Sequence, residues 1–238
     1  LTADAVNFAC DYMSENEIWS KLQQLDIALK DAAANDAEKL ELAKLLVNNC
    51  DLFAKHNFDI GLCDYMEHHI PLIDDRPIFQ RNYRHSPEVR DIIESKVQDF
   101  IKAGIVEDSI SPINSNILAV KKSSGDYRLV LDMRQVNAHC LPHPQILPLP
   151  DEILRSIADA RPTIFTTIDI NQAYMHVPIA EQDRHITAFT TKSGLKQFTR
   201  MIPGLASAPQ TFARLGEKVL QGINYLYAAC FLDDFIIF

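Results

Sequence analysis

Three aspartates interrupt segments that are otherwise apolar. Asp233 and Asp234 lie between residues 228–232 and 235–238, which have the composition of short strands, and Asp169 follows a β-branched run. Two adjacent like charges beside a buried sheet are unfavourable unless a positive group compensates for their lost hydration. Because Asp is also a common turn residue, a polar hairpin turn and a strand-end cap are the alternative interpretations.

A strand-end aspartate and an aspartate pair on a hairpin tip together suit phosphoryl transfer by two metal ions. Mg²⁺ prefers carboxylate oxygens, and two ions about 3.5–4 Å apart can stabilise both the attacking and the leaving oxygen. The sequence therefore predicts that Asp169 converges with Asp233 and Asp234, although 64 residues separate Asp169 from Asp233.

The elements expected to position these residues are mixed helices and strands, which favours an α+β fold. Ser86 and Pro87 suit the N-cap and first position of the clearest helix, and Gly104 suits its end. Residues 64–86 are expected to be extended. Further helices are predicted at residues 151–157 and 207–220. Strands are predicted at residues 117–121, 127–131, 163–170, 176–179, 187–191, 196–200, 228–232 and 235–238.

Residues 1–63 are predicted to form an acidic helical linker segment ahead of a main domain at residues 64–238. Ser14 and Glu17 have the spacing of a capping box. Apolar residues then recur at helical spacing at Ile18, Leu22, Leu25 and Leu29. A second helix at residues 36–49 would turn Leu42, Leu45 and Leu46 inward. This stretch shows no chemistry, so a linker or packing element is favoured over a partner-binding module.

Charge and composition exclude several classes of protein. Residues 1–75 contain 15 acidic and 5 basic side chains, so the rest of the chain has a balance of +1 within a total of −9. A local basic groove can operate in such a near-neutral domain. No apolar run approaches 18 residues, and no basic region precedes an apolar start, so neither a membrane span nor a signal peptide is predicted. Five cysteines without a CxxC pair argue against a disulfide scaffold or a zinc site and fit a reducing compartment.

Several spaced motifs resemble those of the reverse transcriptases of gypsy-type LTR retrotransposons and retroviruses. Residues 231–234, Phe-Leu-Asp-Asp, resemble the Tyr-x-Asp-Asp hairpin of that family, and residues 167–174 resemble its first carboxylate motif. Residues 119–137 resemble its fingers hairpin. Further matches are Phe189, Gly194, Phe198, Arg200, Met201, Gly204, Leu205 and residues 208–212. The motifs follow the family's order from about residue 50 to the end.

The resemblance implies a right-hand polymerase, with the fingers and palm in residues 64–238 and the thumb absent. It implies an RNA-directed DNA polymerase that adds deoxynucleotides to a primer 3′ end on an RNA or DNA template. Asp169, Asp233 and Asp234 would be the catalytic metal ligands, and the carbonyl of Ile170 would be a further ligand. The cofactor would be two Mg²⁺ ions, with Mn²⁺ as a substitute.

The resemblance also assigns residues around the incoming nucleotide. Lys122 and Arg128 match the fingers cations that hold the triphosphate, for which Arg offers a bidentate fork; a solvated hairpin face is the alternative. Tyr174 matches the ring that excludes a 2′-hydroxyl, and an ordinary core aromatic is its alternative. Ala173 and Pro203 complete the nucleotide site. The template and primer would contact Gly204, Phe231 and Leu232.

Two positions depart from the family pattern. Phe231 keeps the ring of the hairpin tyrosine but not its hydroxyl. Residues 201–204, Met-Ile-Pro-Gly, replace the usual Met-Pro-Phe-Gly, so Pro203 stands where the nucleotide contact is expected.

Asp132 and Arg134, two apart on one strand face, are interpreted as a structural ion pair.

The resemblance implies a longer Pol polyprotein with a thumb and an RNase H domain, and with a flanking protease and integrase. It implies an intracellular, cytoplasmic virus-like particle. A metal-dependent nuclease with the same three carboxylates is disfavoured, because it needs neither a triphosphate clamp nor a sugar gate. The other alternative is a catalytically inactive, truncated or domesticated relic that only binds or folds. The intact Asp169, Asp233 and Asp234 argue against long decay.

Overall fold

The chain forms two compact units, Leu1–Asp59 and Ile60–Phe238. The computed structural model describes residues 13–25, 27, 29, 32, 34–123, 125–142 and 149–238. Within these ranges, no helix has the length and apolar character needed to cross a membrane. The described cysteines are free thiols: Cys50, Cys63, Cys140 and Cys230.

Two helices, α1 (Glu15–Gln24) and α2 (Asp36–Asn48), build the described part of the first unit. Both begin with a capping box, the first at Ser14 as predicted and the second at Asn35. In each box the cap side chain accepts a hydrogen bond from a helix N–H, and a glutamate accepts one from the cap N–H. The buried core between the helices consists of Ile18, Leu22, Ala43 and Val47.

Two predicted features of this first unit are wrong. Leu45 is 56% exposed, because Ala43 and Val47, four residues apart, define the buried face and Leu45 lies between them on the opposite side of the helix. The first helix ends at Gln24, so Leu29 lies beyond it, although Leu29 packs against the same core.

The second unit has the α+β fold that the sequence predicts. Its helices are α3 (Pro87–Lys102), α4 (Arg134–His139), α5 (Pro150–Ala160) and α6 (Ala208–Val219). Its strands are β1 (Val106–Asp108), β2 (Asn116–Lys121), β3 (Tyr127–Asp132), β4 (Thr166–Asp169), β5 (Phe189–Thr191), β6 (Gly194–Phe198), β7 (Ala228–Phe231) and β8 (Asp234–Ile237). In the described residues they pair antiparallel in the orders β1-β6-β5, β2-β3 and β4-β8-β7.

Helix α3 forms as its capping residues predict and covers the sheet that contains β1. The Ser86 side chain accepts a hydrogen bond from the N–H of Val89, and Gly104 takes the left-handed φ of 70° just past the helix end. Phe198 packs its ring against those of Phe100 and Phe189, at centroid distances of 5.9 and 5.2 Å. This aromatic cluster anchors α3 to the sheet of β5 and β6, because large rings dominate the energetics of a core.

An extended segment, residues 64–86, connects distant parts of the second unit, and we call it the strap. Its extended conformation agrees with the prediction. Isolated bridges join it to three later regions, through the pairs His68–Ile179, Leu72–Cys140 and Phe79–Asn114. The strap therefore contributes to the core without belonging to any sheet.

Several predicted boundaries differ from the structure. Strand β4 covers only Thr166–Asp169 of the predicted residues 163–170, because its partner β8 offers four residues for pairing. The predicted strand at residues 176–179 is absent from this described region: Ala173–His176 is a 3-10 turn, and the residues after it make isolated bridges only. Helix α5 extends to Ala160, beyond the predicted end at residue 157.

Asp132 lies at the end of β3 and forms the ion pair expected with Arg134. The sequence predicted that Arg134 would lie on the same strand face as Asp132, but Arg134 is the first residue of α4. Its Nη2 lies 2.7 Å from the Asp132 carboxylate, to which the Tyr83 hydroxyl donates a hydrogen bond of 2.8 Å. These hydrogen bonds, that of Arg134 first, hold the pKa of the buried Asp132 carboxyl well below its usual range.

The Asp132 network predicts a pH-dependent contribution to stability. Because the folded-state pKa of Asp132 is depressed, the contribution is fully present above the unfolded pKa of about 3.9, declines below it, and is lost as the pH falls through the folded-state pKa. We expect Asp132→Asn to lower the free energy of unfolding by about 1–3 kcal/mol at pH 7. Urea unfolding at several pH values between 7 and 3 measures this difference.

The matched control for that experiment is Asp126→Asn. Asp126 is exposed and pairs with Lys96 at 3.0 Å, so replacing it should lower the free energy of unfolding much less than replacing Asp132 does. A gap between the wild-type chain and Asp132→Asn that stays constant down to pH 3 would contradict the assignment.

Candidate active site

The sheet β4-β8-β7 brings two of the three aspartates together. Its register pairs Asp169 with Asp234, and Asp234 in turn with Phe231 on the other side. Directly paired residues of antiparallel strands have Cα atoms about 4.5–5.5 Å apart and point to one face. The predicted convergence is therefore found for Asp169 and Asp234, and Asp233 adjoins them in the turn.

The turn that carries Asp233 is a two-residue loop, Leu232-Asp233, between β7 and β8. Leu232 has a positive φ of 58°, which suits the first central position of a tight hairpin turn but disfavours a branched side chain. The thiol of Cys230 lies 3.1 Å from the Leu232 carbonyl oxygen and donates to it. We call β7, this turn and β8 the aspartate hairpin.

The three carboxylates are accessible and unpaired. Asp169 and Asp234 are exposed, Asp233 is half-buried, and none has a hydrogen-bond or ion-pair partner among the described residues. In those same residues, no group of three or more His, Cys, Asp or Glu side chains is arranged to hold a metal ion. The strand register therefore brings the carboxylates near one another without forming a closed ligand cage.

Tyr174 lies beside the aspartates in the 3-10 turn Ala173–His176. Its ring packs on Phe212 of α6 at a centroid distance of 5.5 Å, and it is half-buried. Burial and, to a lesser degree, the charge of Asp233 raise the pKa of the Tyr174 phenol. The ring thus packs against the core through Phe212 and lies close enough to the aspartate hairpin for the charge of Asp233 to affect its phenol. Ala173 is buried next to it.

Helix α6 supports the aspartate hairpin through a close approach at Gly216. A Cβ on Gly216 would lie 2.7 Å from the Cys230 Sγ and 3.2 Å from its Cβ, so only glycine fits without a shift. Burial, with smaller contributions from the charges of Asp233 and Asp234, raises the pKa of Cys230 to about 11. The thiol therefore stays protonated and acts as a packing group at neutral pH.

The predicted cations lie on a different hairpin, β2–β3. Arg128 pairs with Val120, and Lys122 follows two residues later, so the two cations point to one face. Both are exposed, and neither has an ion-pair partner in the described ranges. No described hydrogen bond or ion pair joins them to the aspartates.

The predicted nucleotide and template contacts Pro203 and Gly204 form an exposed turn. Gly204 needs its positive φ of 98°, whereas a Cβ there would meet nothing closer than 3.7 Å. The amide of Asn137 on α4 holds this turn: its Nδ2 donates to the Gly204 carbonyl at 2.8 Å, and its Oδ1 accepts from the Ala206 N–H at 2.9 Å.

Some residues that shape the site were not predicted from the sequence. Asn137 lies within a matched motif, which was the one signal available for it, but its partners are 67 and 69 residues away. Gly216 has no local signal, because a glycine within a helical pattern does not reveal what packs against it. Of the other predicted residues, Phe231 is 36% exposed beside the turn, and Ile170 is half-buried directly after β4.

Solved structures share this fold. The foamy viral protease-reverse transcriptase in complex with RNA/DNA hybrid superposes with a TM-score of 0.80 at 25% identity, over 93% of this chain and 29% of that one. The selenomethionine-labelled prototype foamy virus protease-reverse transcriptase gives a TM-score of 0.78 over 94% of this chain and 28% of that one, also at 25% identity. The second unit therefore has the fingers and palm fold of a right-hand polymerase.

Sequence comparison agrees with the fold. The family model described as reverse transcriptase (RNA-dependent DNA polymerase) matches residues 120–238. The Pol polyprotein of transposon 412 from Drosophila melanogaster is 33% identical over 205 residues, which are 84% of this chain and 16% of the polyprotein. That of transposon gypsy from the same fly is 29% identical over 216 residues, 88% of this chain and 21% of the polyprotein.

The chain belongs to the reverse transcriptase family, within the retrovirus-related group that includes LTR transposons. It spans about a fifth or less of the length of these curated relatives.

The contact at Gly216 generates a test of how the aspartate hairpin is supported. Alanine has a higher helix propensity than glycine by about 1 kcal/mol, but its Cβ would collide with Cys230. We expect Gly216→Ala to lower the free energy of unfolding by about 1–3 kcal/mol, as overpacking does. Chemical denaturation measures this change. Gly216→Ala combined with Cys230→Ala should recover part of the loss, and a single variant more stable than the wild type would refute the contact.

Proposed function

We propose that this chain is the fingers and palm part of an RNA-directed DNA polymerase that extends a primer by two-metal nucleotidyl transfer. The observation that carries the proposal is the register of the β4-β8-β7 sheet, which pairs Asp169 with Asp234 and sets Asp233 beside them. Accessible carboxylates without protein partners are available to bind cations, unlike the buried, paired Asp132.

The donor set suits hard divalent cations. Asp169, Asp233 and Asp234 offer carboxylate oxygens, and Ile170 offers a carbonyl oxygen directly after β4. Mg²⁺ takes such ligands and retains several waters, so an open site of few protein ligands fits it; Mn²⁺ would substitute. When bound, the ions supply Lewis-acid stabilisation of the attacking and leaving oxygens.

The other residues bind and orient the substrates. Lys122 and Arg128, which share an exposed hairpin face, would hold the triphosphate of an incoming deoxynucleotide, Lys as a point charge and Arg as a fork. Tyr174, next to the buried Ala173, would lie under the sugar, and the Pro203 turn would border the base. Gly204, Phe231 and Leu232 would contact the template and primer.

The partners follow from the relatives. A foamy viral relative is solved with an RNA/DNA hybrid and another with double-stranded DNA, so we assign this chain a primed RNA or DNA template. Because the relatives are retrovirus-related Pol polyproteins of which this chain covers about a fifth or less, we propose that it acts within a longer Pol chain. The further parts of that chain would be a thumb, an RNase H domain, a protease and an integrase. We place its action in a cytoplasmic virus-like particle.

Primer extension by the chain within its full-length Pol tests the proposal. Asp169→Asn, Asp233→Asn and Asp234→Asn should each lower the rate by roughly a hundredfold or more, because bound metal ions supply several kcal/mol of transition-state stabilisation. Their free energies of unfolding should stay equal or rise, since one like charge is removed from a cluster. Asp159→Asn, an exposed aspartate of α5, is the control. Full activity in all three variants would refute the proposal.

Tyr174 tests the assignment of the sugar site. We expect Tyr174→Val to raise incorporation of ribonucleotides relative to deoxynucleotides by about tenfold or more, because a site that rejects a hydroxyl by steric clash loses this rejection when the blocker shrinks. Competitive single-nucleotide extension measures the ratio. Tyr127→Val on β3 is the control. Unchanged discrimination would return Tyr174 to the role of a core aromatic.

A further inference from the structure

A buried polar cluster joins the strap to the first turn of α6. His68 is fully buried, and Ser207 and Thr211 are 7% and 5% exposed. The His68 Nδ1 lies 2.9 Å from the Thr211 Oγ1, and the Ser207 Oγ lies 3.4 Å from the His68 Nε2. Both ring nitrogens thus contact hydroxyls of one helix end, although 143 residues separate His68 from Thr211.

The histidine is fixed on its own side by the backbone. Its N–H donates to the Pro178 carbonyl at 2.8 Å, and its carbonyl accepts from the Ala180 N–H at 3.0 Å. Ile70, two residues along the strap, and Ile179 and Ala180, which meet His68 through the backbone bridge, are buried and apolar. The ring therefore presents its two nitrogens to α6 from a rigid position.

Such a cluster determines how α6 is placed. The remaining buried residues of the helix are apolar or small, and apolar contact is non-directional, so it specifies rotation and axial position weakly. A satisfied polar network in a low-dielectric core is directional, and a displaced partner leaves a buried polar group unpaired. The His68 contacts therefore favour one rotation and one axial position of the helix.

The same helix contacts both halves of the proposed site. Phe212, the neighbour of Thr211, packs on Tyr174 at 5.5 Å, and one turn further Gly216 lies against Cys230 of the aspartate hairpin. A shift of the first turn of α6 would therefore move the ring beneath the sugar first, and the hairpin to a smaller extent.

We infer that His68 is a positioning residue for nucleotide selection: it fixes α6 and, through Phe212, the place of Tyr174. This inference rests on the proposed function. A neutral imidazole has one donor and one acceptor, and hydroxyls can serve as either, so both contacts can form in either tautomer. Asparagine can mimic the Nδ1 position and glutamine the Nε2 position, and the shorter contact is that of Nδ1.

The experiment measures two quantities for His68→Leu, His68→Asn, His68→Gln and Thr211→Val. One is the ratio of ribonucleotide to deoxynucleotide incorporation by the chain within its full-length Pol. The other is hydrogen–deuterium exchange of the first turns of α6 in the 238-residue chain. His69→Leu is the matched control, because this neighbouring side chain is 61% exposed and pairs with Asp183 at the surface.

We expect His68→Leu and Thr211→Val to raise the incorporation ratio and the exchange rate of α6 by about tenfold, since displacements of an ångström cost up to a hundredfold in a reacting geometry. His68→Asn should recover more of the loss than His68→Gln, and His69→Leu should change neither quantity. In the double variant His68→Leu/Thr211→Val, the incorporation ratio and the exchange rate should rise no further than in the more affected single variant, because both residues belong to one network.

The outcomes separate this inference from the proposed function. Variants that fold and extend primers with unchanged discrimination would overturn the role of His68 while leaving the polymerase proposal intact. If the wild-type chain within Pol extends no primer, the proposed function fails. Unchanged hydrogen–deuterium exchange of α6 in the variants would in addition overturn the inference that His68 fixes this helix. If His68→Leu does not fold, Thr211→Val, which keeps the volume and replaces the hydroxyl by a methyl group, provides the same test.

Discussion

The antiparallel register of β4 against β8 is the constraint on which the aspartate arrangement depends. A slip of one residue would turn Asp169 to the opposite face of the sheet and separate it from Asp234. Each strand of the pair has only four residues, so few ladder hydrogen bonds specify this register. The tight turn at Leu232 and the contacts of β7 with α6 therefore contribute much of what fixes the strand register. The φ of Leu232 in this turn lies in a region that L-residues seldom adopt.

Helix α6 links the separate parts of the site to the core of the second unit. At its start it meets the strap through Ser207 and Thr211, in its middle it meets Tyr174 through Phe212, and towards its end it approaches β7 through Gly216. The nature of the contact changes along the helix, from hydrogen bonds to ring packing to close backbone approach. A single helix thus links the ring of Tyr174 to the hairpin that carries the carboxylates, whereas the exposed cations on β2–β3 lie on a separate hairpin.

Local signals were sufficient for the parts of this structure that local physics determines. Ser86 and Pro87 predicted where α3 begins, and the apolar runs around Asp233 predicted the hairpin, because capping and strand alternation depend on neighbouring residues. The proximity of Asp169 to Asp234 was also predictable. Carboxylates beside apolar strands are unfavourable unless a cation compensates for their lost hydration, and one shared cation site would account for all three. The partners of His68, Gly216 and Asn137 were not, because each contact joins segments whose meeting depends on the whole fold. Leu45 was misplaced for a related reason: two apolar faces of α2 competed, and packing against α1 chose the face of Ala43 and Val47.

The strap has a consequence for the order in which the chain folds. The strap residues His68, Leu72 and Phe79 bridge to Ile179, Cys140 and Asn114, respectively. His68, the first of the three to be synthesised, therefore pairs with the partner that is synthesised last. During synthesis at about 5–20 residues per second, His68 leaves the ribosome on the order of ten seconds before Ile179 exists. Until then the bridge partner of His68 is missing, and closing such a long loop is entropically costly and slow. The docking of the strap is thus a late step, and a nascent chain would acquire its ordered α6 only after most of the second unit has been made.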